Sequence, residues 1–390
     1  MKPRVLMVSS PIHPVPPNRG AAVEWWMWQV CRRLVDLEPH IVSIWAPGYA
    51  EHEQVEGVTL HRVRIGRVYR RLFQKLTRLD PWGYAARTAQ YIRRIDARCV
   101  HVHNDPDLFL RLRARAAGPQ REFVLHLHNE RSNLEGLETA RMIVVSDYLR
   151  DWYRARLPKA EIMVLTNGVD MAQFGNVPAP SAPLPNIDAQ VRRLVLYAGR
   201  ISPEKGPLRL VQAMGKVIAV APDVGLVLAG EFARGDFRSE RMLYGEAVKS
   251  AFNELPVGHA ANLGVLPPER MHEVFAHAAL VVMPSQFNEP LGMVALEAMA
   301  AGVPVLAAHN GGLREIIDAE RTGFFLTDTP SDMAARILDV LDLDDATRTR
   351  VVAAARAYVA AHHDWPIVAA ALTKIYRRVC PTAVLESPPA

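Results

Sequence analysis

The 390-residue sequence has little cysteine and no long apolar run. The run Val5–Val8 is too short for the hydrophobic region of a signal peptide, and no stretch approaches the roughly 20 apolar residues of a membrane span. The three cysteines, Cys31, Cys99 and Cys380, are odd in number and far apart in the sequence. They predict reduced, packed thiols, and we therefore expect a cytoplasmic protein.

Acidic residues are scarce in one part of the first half. Residues 62–98 contain 11 basic residues and only two acids, an excess that indicates an anionic partner or a solvated basic face. The apolar positions of segment 67–79 fall at helical spacing, at Val68, Leu72, Leu76 and Leu79. This pattern is typical of a helix on an anionic membrane, or of an amphipathic helix packed on its own domain. The sequence contains no recognised nucleic-acid-binding module, so we expect no nucleic-acid partner.

Short apolar runs alternate with helical stretches along the whole chain. The predicted strands are Arg4–Ser9, Ile41–Trp45, Cys99–His103, Phe123–His128, Met142–Val145, Ile162–Leu165, Leu194–Ala198, Leu226–Ala229, Leu280–Met283 and Val303–Leu306. Helices are predicted between most of them, including Ala21–Leu37 and a stretch over Ala353–Ala361. Strands separated by helices form βαβ units, so the pattern predicts an α/β protein with parallel sheets.

Proline marks the boundary between the two predicted domains. Four prolines fall within Val177–Pro185. We predict a first domain over residues 1–177, a linker over 178–190 and a second domain over 191–364. In doubly wound sheets ligands bind beyond the carboxyl ends of the strands, so we expect the domains to face each other across a cleft that holds the site.

The most informative segment follows the predicted strand Leu280–Met283. Pro290 and Gly292 mark a helix start there, and the first N–H groups of a helix form an anion site. The residues expected to contribute to that site are Leu291, Gly292, Met293 and Val294. Glu297, one turn into the helix, can accept hydrogen bonds from a ribose diol, and Glu289 can reach sugar hydroxyls beyond the phosphates. Taken alone, two glutamates eight positions apart also occur by chance.

This segment resembles the Glu-x7-Glu signature of glycosyltransferase family 4, a large family of retaining enzymes with the GT-B fold. The resemblance extends to Thr166–Asp170, Gly199–Gly206 and Asn310–Glu315, and it runs from Val5 to about Tyr376. It implies two doubly wound Rossmann-like domains that face each other across a cleft. The acceptor binds in the first and the nucleotide-sugar donor in the second, and a C-terminal helix over 365–380 returns to the first domain.

The resemblance also implies that Arg200 and Lys205 hold the donor diphosphate. Fixed cations stabilise a leaving group that gains charge as the glycosidic bond breaks. An arginine can bind two phosphate oxygens, whereas a lysine acts as a point charge. Near the start of the chain, the family usually has two adjacent glycines. This sequence has only Gly20, placed on the acceptor side, so contact of that loop with phosphate is not supported.

Histidines alternate along two predicted strands, at His101, His103, His126 and His128. Because side chains alternate with a period of two, each pair shares one face of its strand. In the enzymes that the chain resembles, the histidine ending the second of these strands contacts the 6-hydroxyl of the reacting sugar, which assigns this role to His128. His126 is expected to be a packed strand residue, and His103 with Asn104 to face the acceptor.

The string Asp105-Pro106-Asp107 contains an Asp-x-Asp pair, which glycosyltransferases of another fold use to hold a cation. Arg200, Lys205 and a helix terminus already supply positive charge, and Pro106 suits the first turn of a helix. We therefore expect neither a metal nor another cofactor.

The resemblance implies a retaining hexosyltransferase that uses a UDP-sugar in preference to a GDP-sugar. Its acceptor is expected to be a glycan or lipid-linked precursor of a cell-surface polysaccharide or lipopolysaccharide. It would work in the cytoplasm, at the inner face of the membrane if segment 67–79 docks there. The alternatives are a nucleotide-sugar epimerase and an inactive subunit that binds a nucleotide sugar as a scaffold.

Overall fold

The computed structural model describes residues 2–17, 21–69, 82–175, 184–230, 240–326 and 330–380. The chain divides into two compact units, one of Met1–Gly168 with Trp365–Ala390 and one of Val169–Asp364. Gly20 and residues 70–79 of the predicted amphipathic helix lie outside the described residues. Among the helices that are described, none combines the length and the apolar character that crossing a membrane requires.

The described strands and helices alternate as the sequence predicts. In chain order the strands are β1 (Arg4–Val8), β2 (Glu38–Ile44), β3 (His52–Val55), β4 (Val58–Val63), β5 (Cys99–His103), β6 (Glu122–Leu127), β7 (Arg141–Val144), β8 (Glu161–Val164), β9 (Arg193–Ala198), β10 (Val224–Ala229), β11 (Ala260–Asn262), β12 (Ala278–Met283), β13 (Val305–Ala307) and β14 (Phe324–Phe325). The α-helices are α1 (Ala22–Cys31), α2 (Arg67–Tyr69), α3 (Tyr84–Ile95), α4 (Pro106–Ala116), α5 (Asp147–Arg154), α6 (Met171–Gly175), α7 (Pro207–Val220), α8 (Glu240–Asn253), α9 (Met271–Phe275), α10 (Met293–Ala301), α11 (Leu313–Ile316), α12 (Pro330–Leu341), α13 (Asp345–His362) and α14 (Trp365–Val379).

The first unit contains an eight-stranded sheet with the order β3-β4-β2-β1-β5-β6-β7-β8. Its described pairs are parallel except β3 with β4, which form an antiparallel hairpin at one edge. The central strands are buried, as expected for a parallel sheet covered on both faces. The sequence analysis missed β3 and β4 and extended α1 beyond Cys31, where residues 32–37 form turns instead.

The second unit contains a six-stranded sheet with the order β11-β10-β9-β12-β13-β14, and its described pairs are parallel. The order reverses between β9 and β12, because β10 lies on the other side of β9. In doubly wound sheets such a switch point opens a crevice at the carboxyl ends of the two strands. The loops that follow β9 and β12 therefore meet at one edge of this sheet.

The C-terminal helix α14 belongs to the first unit. Its apolar face, including Trp365, Leu372 and Tyr376, is buried in the same core as residues of α1 and of β1, β5 and β6. The return of this helix also corrects the prediction of three reduced thiols, because Cys99 on β5 and Cys380 after α14 form a disulfide. Distance along the chain was a poor guide here, since α14 places Cys380 beside β5.

The division between the units lies closer to the start of the chain than the predicted boundary at residue 177. The reason is that α6 packs on the second unit, where Phe174 contacts the ring of Phe275 and Arg356 donates to the Gly175 carbonyl. Of the predicted linker 178–190, residues 178–183 lie outside the described residues. Asp188, near its end, donates its backbone N–H to Gly258 in the second unit.

Candidate active site

The candidate donor site lies at the carboxyl ends of β9 and β12. Gly199–Gly206 follows β9, and the segment from Pro284 to Gly292 follows β12 and leads into α10. A parallel register joins β9 to β12, so the two loops lie side by side. Gly206, with φ +68°, passes so close to the second loop that an added Cβ would lie 2.2 Å from the Pro284 carbonyl oxygen. Glycine is therefore required where the two loops touch.

An ion pair joins these two loops. The Lys205 Nζ lies 2.8 Å from Glu289 Oε1 and 3.0 Å from Oε2. The Ser285 hydroxyl donates to Glu289 Oε1 at 2.5 Å, and the Lys205 ammonium also lies 4.8 Å from the centre of the Phe287 ring. Glu289 is 3% exposed, and its carboxylate is compensated by a cation and a hydroxyl as buried charges require. The structure thus brings together two residues that the sequence analysis placed in the site separately.

A backbone scaffold fixes the position of Glu289. The Gly312 N–H donates to the Glu289 carbonyl at 2.7 Å, and the Asn310 amide donates to the Ser285 carbonyl at 2.9 Å. A Cβ on Gly311 would lie 2.2 Å from the same Glu289 carbonyl oxygen, so only glycine permits this approach. The turn after β13 therefore fixes the backbone that carries the Glu289 side chain.

Helix α10 begins beside this pair. Its N-cap Gly292 has φ +105°, and an added Cβ there would lie 2.5 Å from Leu313. The first N–H groups of a helix have no intrahelical acceptor, so Met293 and Val294, both partly exposed, offer donors to an anion. Leu291, just before the N-cap, is buried. Glu297, one turn further along, is partly exposed, and desolvation raises its pKa to about 8.

Arg200 lies at the rim of the same loop. Its side chain is 65% exposed and its guanidinium is 3.7 Å from the Glu204 carboxylate. The Arg200 carbonyl accepts a hydrogen bond from the buried Tyr197 hydroxyl at 2.6 Å, which fixes the backbone but leaves the side chain in solvent. An exposed guanidinium in this position can reorient toward an arriving anion.

In the first unit the predicted histidines are buried. His103 is completely buried, and its Nδ1 lies 3.2 Å from His128 Nε2. Asn104, with φ +55°, donates its backbone N–H to the His126 carbonyl and accepts from the His128 N–H at 3.3 Å. His126 is packed in the sheet, as predicted. His103 contacts His128 rather than solvent, and its role toward the acceptor stays a prediction.

The Asp-x-Asp string serves as a helix start. Asp105 is the N-cap of α4 and accepts from the Leu108 N–H at 2.9 Å, and Pro106 occupies the first helical position. An N-cap carboxylate that bonds the backbone already has a structural role. The helix assignment made from the sequence is confirmed.

Sequence reasoning missed several residues that build the donor site. Ser285, Phe287 and Tyr197 each contact a predicted site residue or its backbone. A signal for Ser285 was present, because it lies two residues after the end of β12 and four residues before Glu289. Nothing in the sequence indicated that Lys205 and Glu289 would form a pair.

Two glycosyltransferase family models match this chain. The sequence model of the family described as Glycosyltransferase Family 4 matches residues 23–173, and that described as Glycosyl transferases group 1 matches residues 188–358. The lipopolysaccharide 1,2-N-acetylglucosaminetransferase of Salmonella typhimurium is 32% identical over 371 residues, which cover 94% of this chain and 96% of that protein.

Two solved structures share the fold. Sucrose-phosphate synthase from Thermosynechococcus elongatus superposes with a TM-score of 0.76 at 20% identity and covers 97% of this chain and 100% of its own. The Anabaena protein HepE, solved with UDP and glucose, superposes with a TM-score of 0.70 at 17% identity and covers 95% of this chain and 98% of its own.

Proposed function

Because this chain belongs to glycosyltransferase family 4 and has the GT-B fold, we propose that it is a retaining hexosyltransferase that uses a UDP-sugar. The observation that carries this proposal is the Lys205–Glu289 pair next to the N-terminus of α10. A cation, a buried carboxylate and helix N–H groups meet at the switch point of the second sheet. These are the groups needed to bind a diphosphate and the hydroxyls of the attached sugar.

The positive groups of the site would bind the diphosphate. Lys205 is held in place by Glu289, so its charge needs little reorganisation when phosphate arrives. Arg200, which is exposed at the rim, would close on the phosphates from outside. Both cations stabilise the charge that develops on the leaving phosphate, and this stabilisation is larger in the transition state than in the bound donor.

The two glutamates would divide the recognition of the donor. Glu297 lies inside α10 and would bind the ribose hydroxyls. Glu289, before the helix, would bind hydroxyls of the transferred sugar while Ser285 and Lys205 fix its carboxylate. No assigned residue is an obvious covalent nucleophile. We therefore propose front-face attack, in which the departing phosphate accepts the proton of the acceptor hydroxyl.

The first unit would bind the acceptor, with His128 toward the 6-hydroxyl of the transferred sugar. The similarity to the Salmonella transferase supports an acceptor in cell-surface glycan synthesis, either a lipopolysaccharide core or a lipid-linked glycan. HepE, which was solved with UDP and glucose, supports UDP over GDP as the nucleotide.

The test is a thermal-shift screen of UDP- and GDP-sugars followed by activity assays on the hits. A donor at about 100 times its dissociation constant should add roughly 2.7 kcal/mol of stability. Proton NMR of the product with a defined acceptor should then show the anomeric configuration of the donor. Conversion of the donor to another nucleotide sugar without acceptor would identify an epimerase. Stabilisation with no turnover on any acceptor would identify a binding subunit.

We propose that the diphosphate needs no metal, since Lys205, Arg200 and the α10 terminus supply the positive charge. Enzyme dialysed against EDTA should keep its transferase rate, and added magnesium or manganese should not raise it. A complete loss that manganese reverses would contradict this and return attention to Asp105 and Asp107.

The proposal of membrane contact rests on the sequence of segment 67–79. Each basic residue near an anionic leaflet contributes about 1 kcal/mol, and this attraction weakens with salt. The parent should sediment with anionic vesicles at low salt, whereas a variant with Arg70, Arg71, Lys75 and Arg78 changed to Gln should not. If the parent sediments with neither anionic nor zwitterionic vesicles, the segment packs on its own domain and a soluble acceptor is expected.

A further inference from the structure

Four histidine rings share one buried face of the first sheet. His101 and His103 alternate along β5, and His126 and His128 continue the same face along and just beyond β6. The register pairs His103 with His126, so the rings form one group rather than two. The indole of Trp26 on α1 lies 4.7–6.2 Å from all four ring centres and helps to close the group.

The nitrogens of this group divide into two kinds. On one side, His101 Nδ1 lies 2.7 Å from the Tyr376 hydroxyl, and His103 Nδ1 lies 3.2 Å from His128 Nε2. On the other side, the Nε2 atoms of His101 and His103 and both nitrogens of His126 are buried with no hydrogen-bond partner among the described residues. Buried polar atoms are rarely left unpaired in proteins, so several in one place call for a bound species.

The geometry suits a single cation. His101, His103 and His126 each offer one nitrogen, and these nitrogens lie within 4.8 Å of one another. Around a tetrahedral zinc with bonds of 2.0–2.1 Å, ligand nitrogens are about 3.4 Å apart. The rings of His101 and His126 stack with planes 12° apart, so they would have to rotate to point at one ion. Metal ligands must be neutral imidazoles, and all three rings are completely buried.

The second nitrogens of two of the three rings also favour a metal site. A histidine that binds a metal usually bonds another group through its remaining nitrogen, which fixes the ring orientation. Tyr376 serves His101 in this way, and His128 serves His103. Three-histidine sets hold zinc in proteins, and imidazole ligands favour zinc, copper or nickel over magnesium.

We propose that His101, His103 and His126 bind one divalent transition-metal ion of the zinc type. The ion would link β5 to β6 and occupy the space between nitrogens that the fold otherwise leaves unpaired. This site is separate from the donor diphosphate and does not depend on the proposed transfer reaction.

The first experiment measures zinc by mass spectrometry after the full-length protein is equilibrated with zinc and desalted. We expect a stoichiometry of one in the parent and loss of the ion in His126→Leu. The matched control is His52→Asn, because His52 and His61 form an exposed pair with Nδ1 atoms 3.3 Å apart that could collect adventitious zinc. If zinc is lost in the control and retained in His126→Leu, the buried site is wrong.

The second experiment separates a metal site from mere unpaired nitrogens. Leucine at position 126 removes two buried polar atoms, so without a metal it should raise the melting temperature or leave it unchanged. With a metal, the zinc-loaded parent should melt higher than both the EDTA-treated parent and His126→Leu. Should the variant fail to fold, cobalt in the parent decides the question. Intense visible bands of a tetrahedral site support the proposal, and their absence overturns it.

Discussion

The donor cluster of the second unit is the group Lys205, Ser285 and Glu289, and the histidine cluster of the first unit is the group His101, His103, His126 and His128. The two clusters compensate their buried polar groups in opposite ways. The donor cluster buries the charged Glu289 and compensates it with Lys205 and Ser285. The histidine cluster buries rings whose pKa values are all lowered by desolvation, so they are neutral at neutral pH. Its polar nitrogens are only partly paired.

The contrast shows how each cluster can respond to a ligand. A buried ion pair keeps its charges available to a ligand, so Lys205 would stay bonded to Glu289 and direct a remaining N–H group to phosphate. Neutral rings fixed by packing carry no charge, and each offers a ligand one lone pair and one N–H. Removing a charge should therefore disturb function most in the second unit, and removing a hydrogen bond should disturb stability most in the first.

The largest effect is expected from Lys205→Ala. Loss of the cation beside the leaving phosphate should lower kcat/KM by about 2–4 kcal/mol, roughly 30- to 900-fold, and weaken UDP binding. Steady-state kinetics and UDP titration on the folded variant measure both. Lys249→Ala, which removes an exposed lysine of α8, should match the parent. Unchanged kinetics in Lys205→Ala would remove this residue from the diphosphate site.

The two glutamates should respond differently to substitution by glutamine. Glu297→Gln should weaken binding of UDP itself by about 1–3 kcal/mol above pH 8, since a charged acceptor of the ribose is lost. Glu289→Gln should leave UDP binding unchanged and impair binding and turnover of the complete sugar donor. Isothermal titration with UDP and with the UDP-sugar tests this division. Equal losses of UDP affinity would mean that one of the two is misplaced.

A smaller effect, on stability alone, is expected from Tyr376→Phe in the first unit. The variant leaves His101 Nδ1 buried without its 2.7 Å partner, so the free energy of unfolding should fall by about 1–2 kcal/mol. UDP affinity should not change. In the second unit Tyr358→Phe is the control, because that hydroxyl bonds the Glu315 carbonyl at an exposed position. Urea denaturation measures the free energy of unfolding of both tyrosine variants. Equal losses in the two variants would contradict the contrast between the two units.

The smallest effect is the pH dependence carried by Glu297. Its pKa of about 8 lies above the ordinary value of 4.5, so its contribution to folding stability falls as pH rises between these values. The ionised form accepts ribose hydroxyls better, so UDP affinity should rise up to about tenfold from pH 7 to pH 9. Titrations across this range should be flat in Glu297→Gln. A parallel rise in the variant would assign the effect to another group.

The sequence predicted the alternation of strands and helices well because buried parallel strands are short apolar runs. It missed β3, which lies at the sheet edge and whose first three residues, His52, Glu53 and Gln54, are polar. The hairpin had a usable signal: Glu56-Gly57, with φ of 48° and 79°, forms a two-residue turn between β3 and β4. Glycine at its second position is typical of such turns.

Part of the candidate site was also visible in the sequence. Near strand ends and helix starts, position along the chain implies position in space. The predicted site residues that lie near such points are Arg200, Lys205, Glu289 and Glu297. The pairing of Lys205 with Glu289 was not predictable, because 84 residues separate them and only the register of β9 with β12 joins their loops. The Cys99–Cys380 disulfide was missed for the same reason, since it depends on where α14 packs.

Because helix α14 returns to the first unit, the two units complete their cores in a defined order during synthesis. A ribosome releases Met1–Gly168 almost 200 residues before Trp365, the ring that covers Gly168, has been made. Until then the nascent first unit lacks Leu372 and Tyr376, and part of its core faces water or a chaperone. The second unit is one continuous segment and can complete its core first. The domain that begins the chain is therefore the last to be finished.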